Sequence, residues 1–446
     1  MKGQGEPDRS HNLSLFPWCL RGVALAMTLA AVLCAARMSA QVSETLLYTF
    51  AGPRQDGQSP QGGLVRDTQG NFYGTTDAGG HYGMGTIYRL TPPQKSGGEW
   101  VTEILYTFAP GDGANPEWGA LVMDASGSLY GTTQYGGIRG CGNGFGCGTI
   151  FRLSPPAGGS GPWTLTNLYG LHGLGDGAYP NAGLIFDSDG NLYGTAAAGG
   201  SKHGNCYPYG CGVVFELSPP AGEAGNWKYQ VLHRFQGADG LVPFCTLSRD
   251  NGGVLYGTAS EGGKYGAGVV FKLVPEGSKW QEKVLWNFTG GNDGWQPVSG
   301  VVAHDGALYG VTTSGGDFSW GNVYQLTPNG GATWTENTLY SFTGGSDSGT
   351  PLSDLTFAQD GTLYGTAEYG FEGNCPFGGC GNVFKMTPGS GNTWSYQTVY
   401  TFQGEPDGFL PSGRLFVSPS GIIYGVTSGG GAGCVNGCGT IYQITQ

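Results

Sequence analysis

A Tyr-Gly step recurs seven times along this chain, at Tyr73, Tyr130, Tyr193, Tyr256, Tyr309, Tyr364 and Tyr424, spaced about 60 residues apart. A repeat of that length restricts the chain to stacked or radial architectures, because each unit must bury its apolar faces against its neighbours. The 88 glycines and 25 prolines would by themselves suggest a disordered chain. The strict long period and the 13% aromatic content argue the opposite. There is no three-residue glycine period, which excludes collagen.

Each unit contains four strand-like runs. The first resembles Gly183-Leu184-Ile185, and a turn such as Asp187-Ser188-Asp189-Gly190 follows it. The second is Asn191 to Thr195, the third is typified by Gly148 to Leu153 after a glycine-rich loop, and the fourth by Trp163 to Tyr169 after a Pro-Pro loop. Short runs joined by tight turns form an antiparallel meander. Four strands in each of seven units predict an all-β, seven-bladed β-propeller of four-stranded antiparallel blades spanning 41–446.

The ring is expected to close through its own ends. A fourth-strand sequence, Leu46 to Phe50, opens the repeat region, and a third-strand sequence, Gly439 to Ile444, finishes it. The N-terminal strand should therefore complete the last blade, pairing two edges that would otherwise be open. Trp100, Trp163, Trp227, Trp280, Trp334 and Trp394 each stand six residues before the fourth-strand aromatic position. An even offset predicts one shared strand face. The glycine after each repeated tyrosine is expected to mark close backbone approach between blades.

These units, such as LYGTTQYGG…GCGTIFRLSPP and LYTFAPGDGANP, resemble the Gloeo/Verruco (GloVer) tandem repeat of exported bacterial proteins. The resemblance covers Leu46 to Gln446. It implies export and a propeller-like repeat, and it implies no established activity.

Residues 1–40 read as a secretory signal peptide. Lys2, Arg9 and Arg21 precede an apolar run from Gly22 to Ala36, with cleavage expected near Ala36 or Ala40. The run is short for a membrane span, and bulky Leu33 argues against a lipoprotein reading of Cys34. The expected product is a monomer without a membrane span, extracellular or held in the cell envelope. A net charge of −12 gives no electrostatic basis for binding nucleic acid.

Strand parity sends the Asp-x-x-Gly turns and Pro-Pro loops to one face of the ring. The glycine-rich loops and D-G-x-x-P connections go to the other, which carries the irregular sequence and is the expected binding face. Asp56, Asp112, Asp176, Asp239, Asp293, Asp347 and Asp407 each lie four residues before a proline there. An aspartate before glycine most simply caps its own turn. The sharper reading is a ring of carboxylates around a cation; no cofactor is predicted, Ca²⁺ being the ion such a ring would take.

Eight cysteines form close pairs in the loops between second and third strands: Cys141/Cys147, Cys206/Cys211, Cys375/Cys380 and Cys434/Cys438. In an exported chain they read as local disulfides, with a tetrathiolate zinc site as the alternative. Cys245 is left as a buried free thiol. Aromatic residues that break the repeat supply the candidate ligand contacts: Trp118, Trp295, Trp320, Tyr135 and Tyr369, with Tyr179, Tyr207 and Tyr209 nearby in sequence. The competing reading buries these rings under their own loops.

His81, His172, His203, His233 and His304 sit in different units without ligand spacing, and His233 occupies a repeated aromatic position. Glu117, Asp317, Glu368 and Glu372 are the non-repeat acids on the expected binding face. The leading expectation is a non-catalytic propeller that binds a glycan or protein partner there. The alternative is a carbohydrate-active hydrolase or lyase using loop carboxylates, and a purely structural envelope protein is a third reading.

Overall fold

The computed structural model describes residues 42–446 apart from 96, 139–140, 142–143, 174, 202–205, 207–208, 223–224, 332, 371–374, 376–377, 432–433 and 435–436. The signal-peptide reading of residues 1–40, and the roles considered for Tyr207, His203 and Glu372, lie outside the described residues. Among the described residues, no helix is long and apolar enough to cross a membrane.

Seven four-stranded antiparallel sheets form the seven blades of a β-propeller. Blade 1 consists of Val65–Arg66, Phe72–Thr76, Thr86–Thr91 and Val101–Thr107. Blades 2 to 6 follow in chain order, with second strands at Leu129–Thr133, Leu192–Ala196, Leu255–Ala259, Ala307–Thr312 and Leu363–Ala367. Blade 7 takes Phe409–Val417, Ile423–Gly429 and Thr440–Thr445 from the C-terminal end and Ser43–Thr49 from the N-terminal end. Ser43 pairs with Thr445 and Thr49 with Thr440, so the ring closes as the repeat's offset predicts.

The blades are locked together by a seven-fold interlock. The residue before each proline of the D-G-x-x-P loops (Ser59, Asn115, Tyr179, Val242, Gln296, Thr350 and Leu410) has φ between 53° and 59°. L-residues pay roughly 1–2 kcal/mol for that conformation, and a following proline opposes helical conformations there. The surroundings over-determine it. Each of these residues donates its N–H to the preceding blade, at the carbonyl of Cys438, Met84, Cys147, Cys211, Ala267, Trp320 or Cys380, over 2.8–3.1 Å. Six of the seven carbonyls accept an N–H from their own blade, as in Asp77 to Ser59 at 3.0 Å.

The proline that follows packs on the glycine before the preceding blade's third strand. A Cβ on Gly268 would stand 2.5 Å from Pro297 Cδ and 2.8 Å from the Ala259 carbonyl oxygen. Gly85, Gly148, Gly212, Gly321, Gly381 and Gly439 meet Pro116, Pro180, Pro243, Pro351, Pro411 and Pro60 in the same way.

Aromatic rings complete each junction. Phe50, Phe108, Phe235, Phe288, Phe342 and Phe402 are fully buried. Each meets the third-strand ring of the next blade edge-on at 5.0–5.4 Å, a favoured geometry for aromatic quadrupoles. Leu171 takes this place between blades 2 and 3.

Two expectations are corrected. The glycine after the repeated tyrosine makes room within its own blade: a Cβ on Gly131 would meet the Phe151 ring at 2.7 Å, and Phe151 lies directly across the ladder. The repeated tryptophans and fourth-strand aromatics do not share a face. Ile87 pairs with Tyr106 while Tyr88 pairs with Ile104, so Leu105 is an extra, bulged residue that inverts the parity. Trp100 consequently packs toward the preceding blade, 6.3 Å from Tyr424, and Trp163 packs on Tyr73 at 6.2 Å.

The four close cysteine pairs are disulfide-bonded, with Cα–Cα distances of 4.7–5.3 Å, which fits an oxidising compartment. In each pair, one cysteine supplies an interlock carbonyl. Cys245 is free and buried, and burial pushes its thiol up to about 12.

Three glutamates occupy one fourth-strand position at the blade junctions. Glu44, Glu282 and Glu336 are raised to about 7, first by burial and then, among other effects, by the facing carboxylates of Asp407, Asp239 and Asp293. One oxygen of Glu44 and one of Glu282 is buried without a hydrogen-bond partner.

Two outcomes follow from this packing. Gly268→Ala should destabilise by ~3 kcal/mol, combining left-handed strain with overpacking, against ~1 kcal/mol for Gly266→Ala, which meets open space. Chemical denaturation of the two variants checks this. The raised glutamates bind protons more tightly in the folded state, so their stabilisation is complete below the unfolded value near 4.5 and is lost as pH rises through 7. Thermal melts should therefore fall between pH 5 and pH 8, and Glu336→Gln should flatten that slope by about 1 kcal/mol after allowance for solvent screening.

Candidate functional site

The two faces of the ring differ as parity predicts. Backbone bridges join the D-G-x-x-P loop of each unit to its glycine-rich loop, as in Gln58 with Ala78 and Trp295 with Ser314. The Asp-x-x-Gly turns and Pro-Pro loops border a hollow of about 1270 Å³ on the opposite face. That larger hollow was not foreseen from the sequence. Arg66, Arg89 and Arg414 contribute to its walls, alongside Asp67, Asp124 and Asp354.

Each aspartate of the seven-fold set is bonded to its own turn. Tyr106 donates to Asp112 at 2.6 Å, Tyr340 to Asp347 at 2.8 Å and Tyr400 to Asp407 at 2.8 Å. Tyr169 bonds Asp176 at 2.6 Å, and Tyr48 bonds Asp56. His233 and the indole N–H of Trp286 take this place toward Asp239 and Asp293 at 3.0 and 3.3 Å. Backbone N–H groups of Ala51, Ala109, His172, Gln236, Thr289, Thr343 and Gln403 also donate to these carboxylates. These bonds hold the loop in the shape that delivers its proline to the neighbouring blade.

The first strands run close to the propeller axis, and small residues let them approach. A Cβ on Gly62 would meet the Gly119 carbonyl oxygen at 2.8 Å, and one on Gly119 would meet the Ala182 carbonyl carbon at 2.7 Å. Counting back from the first-strand leucine or valine, the innermost positions are Gly63, Ala120, Gly183, Thr246, Gly300, Asp354 and Arg414. Ala120, Thr246, Asp354 and Arg414 line both the hollow and a smaller pocket of about 320 Å³. They form the waist of an axial passage. The Gly300 N–H donates to Asp354 Oδ1 at 2.7 Å, and the Arg414 Nε–H donates to Thr356 Oγ1 at 3.4 Å.

The smaller pocket lies on the long-loop side of that waist. Trp118, Val242, Phe244, Val298 and Leu352 give it apolar walls, and Ser260, Ser299 and Ser353 line it with hydroxyl groups. Trp118 meets Phe244 edge-on at 6.1 Å. Its placement has a sequence origin: the loop proline and the first-strand leucine or valine are four positions apart in six units, whereas Pro116 and Leu121 are five apart. The extra residue lets Trp118 stand over the axial opening. That spacing was the available signal.

Beside Trp118 lies a pair of acids. Glu117 is raised to about 7 by burial and then by Asp77, while a bond from Trp118 opposes the shift. Asp77 is itself raised by burial and accepts a bond from the Asn115 amide at 3.0 Å. Tyr135 feels both carboxylates and meets Tyr179 edge-on at 5.7 Å. The structure thus brings together Glu117, Trp118 and Tyr135 among the sequence candidates, and adds Asp77, Asn115 and Phe244.

Trp295, Trp320 and Tyr369 do not line the axial pocket. Trp295 is 45% exposed on blade 5. Trp320 packs over the loop of the next unit, where a Cβ on Gly349 would meet its ring at 2.9 Å, and the Tyr369 N–H donates to the Gly349 carbonyl. Glu368 is buried, and that burial raises it to about 8. Asp317 borders a groove on the outer side of blade 5, with Asp293, Phe318 and Glu336.

Among solved structures, a putative 6-phosphogluconolactonase from Bacteroides uniformis is similar over 88% of this chain and 100% of its own, at 14% identity and a TM-score of 0.50. A fungal alcohol oxidase in complex with copper is similar over 89% of this chain and 76% of its own, at 13% identity and a TM-score of 0.49. At 14% identity the likeness to the first of these is one of fold alone and leaves activity open. No curated protein matches the sequence. The family model of the Gloeobacter/Verrucomicrobia repeat matches residues 35–247 and 204–442, and the chain belongs to that family.

Proposed function

We propose that this propeller is an exported, non-catalytic binding protein that takes a glycan or protein partner on its long-loop face, with a neutral sugar ring entering the axial pocket beneath Trp118. The inserted Trp118 is the observation that carries this reading. A half-buried indole over a pocket of about 320 Å³ offers a stacking surface, while serine hydroxyls and the Asp354 and Arg414 side chains offer polar partners below it. That volume is at the small end of ligand sites, which suits one or two sugar rings better than a long groove-bound polymer. The long-loop face provides rigid support, since each loop is anchored to two blades.

One observation favours a second reading, a carbohydrate-active hydrolase or lyase. Glu117, raised to about 7 next to the Asp77 carboxyl, has the proton affinity of a general acid at neutral pH. Its neighbour Trp118 would orient the sugar. Both readings place the ligand at the same opening and differ in whether Glu117 transfers a proton.

A glycan array followed by titration calorimetry separates them from a structural role. Trp118→Ala should weaken binding by about 1–3 kcal/mol, by analogy with base–aromatic stacking, while leaving the melting temperature nearly unchanged. Trp163→Ala, which loses its contact with Tyr73, should lower stability and leave affinity intact. Undiminished binding in Trp118→Ala would contradict the site. For the second reading, polysaccharide turnover by the wild type should fall by about 100-fold or more in Glu117→Gln, while binding persists.

A further inference from the structure

Blade 3 departs from the repeat on its fourth strand, Lys228–Arg234, at the outer end of its junction with blade 4. At the fourth-strand aromatic position, five units place a tyrosine (Tyr48, Tyr106, Tyr169, Tyr340 and Tyr400), one places Trp286, and one places His233. Four residues before that position the units differ again, with glutamate at Glu44, Glu282 and Glu336. Where such a glutamate faces the neighbouring aspartate, the third group is Tyr400 at Asp407 and the indole of Trp286 at Asp293. An indole N–H only donates, and a phenol is a poor ligand while protonated. At Asp239 the third group is an imidazole, which carries a nitrogen lone pair.

The consequence is a mixed ligand set drawn from three segments. Ligand atoms of His233, Asp239 and Glu282 all lie within 4.8 Å of one another. His233 Nε2 and Asp239 Oδ2 are 3.0 Å apart, close to the separation of adjacent ligands around a small divalent ion. Glu282 adds a second, independent observation: its Oε1 is buried and has no hydrogen-bond partner. The His233 and Asp239 side chains keep 18% and 21% exposure, which leaves a path for an ion and for water to complete its coordination. A divalent cation would neutralise the charge of the two carboxylates when both are ionised.

We propose that His233, Asp239 and Glu282 form a site for a divalent transition-metal ion such as Zn²⁺ or Mn²⁺, bridging blades 3 and 4. One imidazole with two carboxylates favours such ions over Ca²⁺, which prefers six to eight oxygen ligands. The site lies on the outer strands, away from the axial pocket, and its role would be to fasten two blades.

Titration calorimetry with ZnCl₂ and MnCl₂ on the purified, chelator-treated protein tests the proposal, with thermal melts as the second readout. One equivalent of at least one ion should bind and raise the melting temperature. His233→Tyr restores the residue found in most units and can still donate to Asp239, so it should fold with a melt close to that of the metal-free wild type. It should nevertheless lose affinity by about 100-fold or more, beyond the loss typical of outer-shell substitutions. Glu282→Gln should also weaken binding, whereas Glu336→Gln, at the equivalent position beside Asp293, should not. No stoichiometric binding of either ion, or equal binding by wild type and His233→Tyr, would overturn the proposal.

Discussion

The pre-proline residue of each D-G-x-x-P loop is the constraint on which the rest of this propeller depends. Its left-handed backbone aims one N–H at the preceding blade and, in six units, one carbonyl at its own. The proline next to it fills the space above a glycine of the preceding blade. An isolated loop would not hold a β-branched residue such as Val242 or Thr350 in that conformation. The aspartate that closes the turn, the aromatic group that bonds it and the glycine that receives the proline make the strained geometry the one in which the pre-proline N–H is paired.

That arrangement explains how a chain with only 12% charged residues can be specific in its fold. Few ion pairs are needed when each junction repeats the same N–H bond and proline–glycine contact, and six of the seven add an edge-on ring. It also explains where variation is tolerated. The interlock aspartate, proline and glycine are uniform around the ring, whereas the residues just after the proline differ from unit to unit. Glu117, Trp118, Phe244, Asp354 and Arg414 all come from that short segment. The proposed recognition surface would thus be built one to three residues beyond the loop proline, on backbone that the scaffold already holds still.

The architecture was legible because a period of repeated Tyr-Gly steps and an offset start and stop leave few alternatives. The disulfides and the division into two faces were legible from spacing and strand parity. Two local expectations failed for one kind of reason: each judged a residue without its cross-strand partner. The bulge at Leu105 inverts a parity argument, and the glycine of the Tyr-Gly step answers to a ring across the ladder. Site residues were legible only in part. Trp118 and Glu117 were singled out as departures from the repeat, but their convergence with Asp77 and Phe244 depends on a ring geometry that one sequence does not display. The role proposed for His233 was hidden because it stands at a structural position and meets Glu282 only through the next blade.

Site-resolved amide hydrogen exchange tests the interlock most directly. If these bonds hold the ring, the amides of Ser59, Asn115, Tyr179, Val242, Gln296, Thr350 and Leu410 should exchange as slowly as central-strand amides such as Val214 and Val270. They would then open only with the whole ring, although they lie in loops. Gly111 and Gly144, whose added Cβ atoms would meet open space, provide the loop reference. Exchange of the seven pre-proline amides at rates like those glycines, while the strands stay protected, would contradict the account.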